Sequence, residues 1–130
     1  MRIKFVQTEP FGKLAKIEGV LELAAANLKL ELAMTKSVEG PVRGVLKRSV
    51  AIVDLEEVNL KRRLFKRPQI ELLARNLEAF ENIPGSSGFR YAVTPLVSKR
   101  EARSFTVDLR LAIAEAAMEK FTTQIEEDLG

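Results

Sequence analysis

The sequence predicts an α+β fold, in which a mostly antiparallel sheet of short strands is closed by one C-terminal amphipathic helix. Three observations predict it. Apolar residues alternate with polar ones in several short segments, turn-forming residues separate those segments at hairpin-length intervals, and one long helical repeat follows them. Strands joined by such short connections pair antiparallel, and a helix with an apolar stripe has only the sheet to bury it against.

Across residues 15–25 the odd positions hold Ala15, Ile17, Gly19, Leu21, Leu23 and Ala25, while Lys16, Glu18 and Glu22 take even ones. From Leu28 the parity switches, with Leu30, Leu32 and Met34 at even positions. A change of parity needs a turn, and Asn27 suits one because its short side chain tolerates positive φ. Leu21, Ala25, Leu28 and Leu32 also fit a helical stripe, so a helix is the alternative to two strands here. Residues 37–44, SVEGPVRG, read as a connecting loop. Val50, Ile52 and Val53 read as a buried strand, and residues 54–57 as a polar break.

Val58 and Leu60, then Ile70 and Leu72, alternate with polar neighbours on either side of KRRLFKRP, residues 61–68. That stretch is therefore expected at a hairpin tip, with Pro68 starting the second strand, where a missing N–H costs least. The segment NIPGSSG, residues 82–88, carries turn signals, and Phe89, Tyr91 and Val93 alternate after it as a further strand. Ser98 and Glu101 have capping-box spacing. Phe105, Leu109, Ile113, Ala117, Phe121 and Ile125 then repeat at four-residue intervals, with Ala102, Ala112 and Ala116 widening the stripe. The spacing predicts one helix from 98 to about 126.

A chain of 130 residues with 46% hydrophobic content fits a single domain, 1–130, able to bury a core without covalent staples. It has no Cys, so disulfides, thiolate nucleophiles and Cys-ligated zinc are absent, and a reducing, cytoplasmic setting is expected. The start, MRIKFVQTEPFGK, has no apolar core of a secretion signal, and no later window reads as a membrane span. The net charge of +3 is mild, but its distribution is uneven. Residues 41–75 hold nine Lys or Arg against four Asp or Glu, whereas residues 76–130 hold six against nine.

With no His and no Cys, the commonest acid-base and nucleophilic groups are missing, so the expectation is that the chain is not an enzyme. Asp54 follows an apolar run, where burial could raise its pKa for acid-base work, but an Asp opening a turn commonly bonds nearby backbone N–H groups instead. The one Tyr, Tyr91, occupies an apolar-face position and is expected in the core with its hydroxyl at the rim. PGSSG precedes a strand rather than a helix, so it reads as a flexible turn and not a phosphate loop. Glu126, Glu127 and Asp128 lack the spacing of a calcium loop, and no cofactor, metal or small-molecule substrate is implied. Lys99, Arg100 and Arg103 stand at the helix start and the acidic run at its end, the reverse of what the macrodipole prefers. Either the screened ends fray with Glu101 offsetting the start, or the basic turn serves a partner.

The candidate site is Lys61, Arg62, Arg63, Leu64, Phe65, Lys66 and Arg67. One reading is a solvated hairpin in which Leu64, Phe65 or both cover the sheet edge while the charges discourage edge pairing. The other is a contact with an anionic surface, to which each Lys or Arg adds ~1 kcal/mol and a tip Phe roughly 1.5–3 kcal/mol if it leaves water.

The stretches SVAIVDLEEVNLKRRLFKRPQIELLARN and FRYAVTPLVSKREARSF resemble the strand, turn, strand, hairpin and last strand-to-helix passage of bacterial pleckstrin-homology-like domains, over roughly residues 20–121. The resemblance implies a bent antiparallel sheet or partial barrel with one end covered by the C-terminal helix. It implies a non-enzymatic binding or scaffolding module, with a protein partner or an anionic membrane surface, peripheral attachment there, and a homo-oligomer formed through exposed sheet edges. Inositol-phosphate recognition is not implied, because the matching first loop, AAANLKL, is nearly uncharged. The alternatives are electrostatic nucleic-acid binding, for which only Phe65 is nearby to stack on a base, and an enzyme using Asp54 or another carboxylate.

Overall fold

Seven antiparallel strands form one open, bent sheet, and a single C-terminal helix packs on it, in the computed structural model, which describes residues 1–7, 15–37, 45–64 and 66–129. The strands are β1 (Arg2–Gln7), β2 (Ala15–Ala24), β3 (Asn27–Ser37), β4 (Val45–Ala51), β5 (Leu55–Arg63), β6 (Lys66–Ala74) and β7 (Arg90–Pro95), and the helix is α1 (Lys99–Leu129). Their spatial order is β4-β3-β2-β1-β7-β6-β5, with β1 joined to β7 by Phe5 opposite Pro95 and Val6 opposite Thr94. A three-residue 3-10 turn, Ile52–Asp54, links β4 at one edge to β5 at the other. Chain reach is only ~3.3–3.6 Å per residue, so the two edges must meet at that corner and the sheet must fold over on itself.

The concave side holds the core. Phe5, Leu21, Leu28, Val58, Ile70 and Leu72 point there from the strands, Phe80 and Ile83 from the β6–β7 connection, and Phe105, Leu109 and Ile113 from α1. Each such side chain contributes about 1.5–3 kcal/mol by leaving water. Gly19 lies opposite Phe5 in the β1–β2 pair, and a Cβ there would stand 2.6 Å from the Phe5 ring and 2.5 Å from the Glu31 carbonyl oxygen. Only glycine admits that approach. Helix α1 packs mainly on β5 and the 3-10 turn, and the Glu101 N–H donates to Ser98 Oγ at 3.1 Å, the cap expected from the spacing.

Several elements differ from the expectation, each for a physical reason. Strand β1 was absent from it, although Ile3 and Phe5 alternate there; Gln7 occupies the third inward position and obscures the pattern. Residues 15–34 form two strands rather than a helix, and their turn is Ala25 and Ala26, with φ of 50° at Ala25. Asn27 instead pairs with Ala24 and opens β3, so AAANLKL is the second connection and not the first, which lies at residues 8–14 outside the described residues. Val50 is buried in β4, which ends at Ala51, while Ile52 enters the core from the 3-10 turn and Val53 is exposed, because the chain must swing from one sheet edge to the other there. Residues 54–57 are no break: buried Leu55 starts β5 and Glu56 and Glu57 continue it. Of the loop expected at 37–44, Ser37 ends β3 and residues 38–44 lie outside the described residues. Pro68 is the third residue of β6 and not its first, and is tolerated because it falls at a register shift, paired with neither β5 nor β7. Phe89 is exposed and precedes β7.

The largest correction concerns the helix stripe. Phe105, Leu109 and Ile113 are buried and Ala117 is half-buried, but Phe121 and Ile125 are exposed. A repeat of four residues advances about 40° per step around a helix of 3.6 residues per turn, so five steps carry it to the opposite side. The six residues spaced by four therefore cannot share one face.

Candidate functional site

Strand parity divides the basic hairpin into two sides. On β5 and β6, Leu60, Arg62, Lys66 and Pro68 point toward α1, whereas Lys61, Gln69 and Glu71 point away from it. The outward side is electrically satisfied. Glu71 is buried on the central strand of this half of the sheet, with Lys61 Nζ 2.9 Å from its carboxylate and Arg90 Nε bonded to the same oxygen. Burial pushes the Glu71 pKa up, but the hydrogen bonds from Arg90 and then Lys61 outweigh it and hold the carboxyl below its ordinary value. Lys61 is thus committed to the fold.

The side facing α1 is different. A groove of about 580 Å³ runs between the hairpin and the first three turns of α1, lined by Arg62, Arg63 and Lys66 on one wall and Lys99, Arg103 and Arg110 on the other. Among the described residues no carboxylate lines it, and the rest of the lining is Leu60, Pro68, Thr106 and Val107. Arg110 and Arg63 are held by hydrogen bonds to the fold. Arg110 Nη2 donates to the Val58 carbonyl at 3.1 Å, and Arg63 donates through Nε to the Arg67 carbonyl at 2.9 Å and through Nη2 to Thr94 Oγ1 at 3.3 Å. Six cations facing one cleft with a low-dielectric floor focus a positive potential, which attracts anions.

The seven residues expected as a site are therefore not one cluster. Arg62, Arg63 and Lys66 line the groove; Lys61 is ion-paired on the other side; Arg67 borders a second cavity with Gln7, Gln69 and Thr94, which Arg63 and Lys66 also reach. Leu64 is 82% exposed at the tip, so in the solvated-hairpin reading the residue left to cover the sheet edge is Phe65. Phe65 lies outside the described residues. Lys99 and Arg103 belong to the basic turn noted at the helix start; what was missed in sequence is Arg110 and the joining of all three into one wall opposite the hairpin. Their spacing of four and seven places them within about 40° on a helix, which is the signal that could have found them.

The other candidates take structural places. Asp54 is half-buried in the 3-10 turn, and its hydrogen bond runs through its backbone carbonyl, which accepts the Arg75 N–H at 2.8 Å, rather than through a side-chain cap. Tyr91 is fully buried against Phe80, ring centroids 5.8 Å apart, and its hydroxyl has no hydrogen-bond partner among the described residues, so the hydroxyl is not at the rim; burial pushes its pKa well up. In PGSSG the N–H groups of Ser86 and Ser87 already donate to Ile83 and Arg90 carbonyls, and the Ser86 hydroxyl donates to the Phe80 and Ile83 carbonyls. Gly85, at φ +85°, packs on the Gln7 amide, where a Cβ would come within 2.4 Å. The turn is internally bonded. Among the described residues no acidic group is arranged to hold a metal ion, and no helix is long and apolar enough to cross a membrane. Comparison of the chain with family models, with curated proteins and with solved structures found no match.

Proposed function

We propose that the chain is a non-enzymatic binding module of the pleckstrin-homology-like type, which attaches peripherally to an anionic membrane surface through the groove between the β5–β6 hairpin and α1. One observation carries this reading: cations from two segments more than thirty residues apart line a single groove to which no carboxylate among the described residues contributes. A cluster of like charges works against the compact state, so its retention favours an external counter-charge. Each Lys or Arg held near an anionic bilayer contributes ~1 kcal/mol, and Leu64, projecting at the hairpin tip, has an apolar side chain ready to leave water on contact. The resemblance to pleckstrin-homology-like domains supports the same class of function, as does the seven-stranded sheet with its C-terminal helix. Nucleic acid is the weaker reading because no aromatic residue lines the groove among the described residues, whereas single-strand platforms interleave several aromatics with charge.

The test is co-sedimentation with phosphatidylcholine vesicles, with and without phosphatidylserine, alongside binding to a single-stranded oligonucleotide. Retention on the phosphatidylserine vesicles alone, falling steeply as salt shortens the Debye length, is the expected result. No retention at low salt, or tighter binding to the oligonucleotide, would overturn the proposal.

A further inference from the structure

Helix α1 carries a second apolar row on the side away from the sheet. Val107, Leu111, Ala114, Met118, Phe121 and Ile125 are all exposed, Met118 at 69% and Phe121 at 65%. Their spacing alternates four and three, a repeat of 3.5 residues, which keeps them within about 80° of arc at roughly 100° per residue. The row buried on the sheet, Ala102, Phe105, Leu109 and Ile113, lies on the opposite side. The sheet therefore fills one of two seams.

The charges beside the open seam identify what fills it. With Leu111, Met118 and Ile125 as a positions and Val107, Ala114 and Phe121 as d positions, Arg103 and Arg110 fall at g and Asp108 and Glu115 at e. None of these four has an opposite charge three or four residues away, where an intrahelical pair would form, and none makes an ion pair among the described residues. Instead each arginine precedes an acid by five residues, Arg103 before Asp108 and Arg110 before Glu115. Five is the offset at which g of one helix meets e of an in-register parallel partner. Arg110 keeps donors for this after bonding Val58, since a guanidinium has five N–H groups.

We infer that α1 pairs with α1 of a second copy of this chain, parallel and in register, as a short two-stranded coiled coil along Val107, Leu111, Ala114, Met118, Phe121 and Ile125. The pattern is self-complementary, as a two-fold interface requires. A fully overlapped antiparallel pair would set Glu115 beside Glu115 of the other copy and leave both arginines without an acid. Lipid is a poor occupant, because residues 118–129 hold one Lys against four carboxylates and an anionic surface repels them. The seam spans about three heptads, includes the small Ala114 and meets Asp128 at its next d position, so the dimer is reversible. The pairing is not inferred from what the basic groove binds, but the two share Arg103, Val107 and Arg110, so the test is made without an anionic ligand.

Sedimentation of the full chain, without vesicles, tests it. The mass should rise with concentration from that of the 14.5 kDa monomer toward twice that value. Phe121→Lys and Met118→Lys, at exposed positions, should keep the melting temperature of the dilute protein and weaken the dimer at least about a hundredfold by placing a charge in the seam. Because the chain has no Cys, Ile125→Cys supplies a single thiol, and mild oxidation should cross-link it across the parallel seam, whereas Thr123→Cys on the sheet side should not cross-link. A wild type that stays monomeric at every concentration would overturn the inference, as would a dimer unaffected by Phe121→Lys, which would place the interface elsewhere, such as the sheet edges. A dimer without cross-linking at Ile125→Cys would overturn the parallel register. A monomer whose vesicle binding falls on Phe121→Lys would assign the row to lipid.

Discussion

The two sides of the β5–β6 hairpin carry the same kinds of residue and do different things with them. On the outward side Lys61 and Arg90 converge on Glu71, so two cations and a buried carboxylate stabilise the fold together. On the side facing α1, Arg62 and Lys66 meet Lys99, Arg103 and Arg110 across a groove lined by no acid among the described residues. A run of basic residues is therefore not a unit of function. Strand parity sends alternate members to opposite faces, and the charges available to a partner are those whose face lacks a carboxylate. The groove side costs the fold some repulsion, while the Glu71 side contributes to it.

The difference can be attacked first through the wall that makes it. Leu109→Asp would put an unpaired carboxylate where α1 meets the sheet and should cost more than about 3 kcal/mol, enough to unfold a domain of this size. A wild-type melting temperature for this variant would mean that α1 does not pack as described and that the groove lacks its second wall. Glu71→Gln comes next, with an expected loss of about 1–3 kcal/mol at neutral pH in denaturant unfolding as the charge-assisted bonds to Lys61 and Arg90 go. Its vesicle binding should hold or rise. A parallel fall in binding would show that the two sides are not separate.

The pH dependence sharpens the same point. The Glu71 carboxyl titrates below its ordinary 4.5 in the folded state, so its stabilisation is present above that value and is lost as pH falls through the folded pKa. The stability gap between wild type and Glu71→Gln should therefore shrink on acidification; a gap that widens would contradict the ion-paired assignment. The smallest effect is expected at Tyr91, beneath the hairpin. Its hydroxyl is buried without a partner among the described residues, so Tyr91→Phe should leave stability unchanged or raise it by up to about 1 kcal/mol, by calorimetry. A clear loss would mean that the hydroxyl is bonded.

What was legible in the sequence were features set by neighbours along the chain. The opposite parities of Ile17 to Leu23 and Leu28 to Leu32, the strands flanking residues 61–68 and the Ser98 cap are written in local spacing, and each is present. What was not legible depends on contacts far along the chain. Glu71 follows the same alternation as a solvent-facing residue, and nothing beside it announces that Lys61 and Arg90 will enclose it. Arg62 and Arg103 are brought together only because α1 returns across β5. The overextended stripe on α1 had a different cause: the four-residue repeat from Phe105 to Ile125 winds about 200° around the helix, so it merged two opposite rows into one. Counting steps of four and three separately would have revealed both.

The central claim is that position in the groove, and not total charge, governs binding to an anionic surface. It is tested by comparing two double variants of equal charge on phosphatidylserine vesicles: Arg62→Gln with Arg103→Gln in the groove, and Lys29→Gln with Lys47→Gln on exposed positions of β3 and β4. At ~1 kcal/mol per charge, the groove pair should weaken retention roughly thirtyfold with an unchanged melting temperature, and the distant pair should weaken it only slightly. Equal weakening by the two pairs, or a wild type not retained at low salt, would contradict the account.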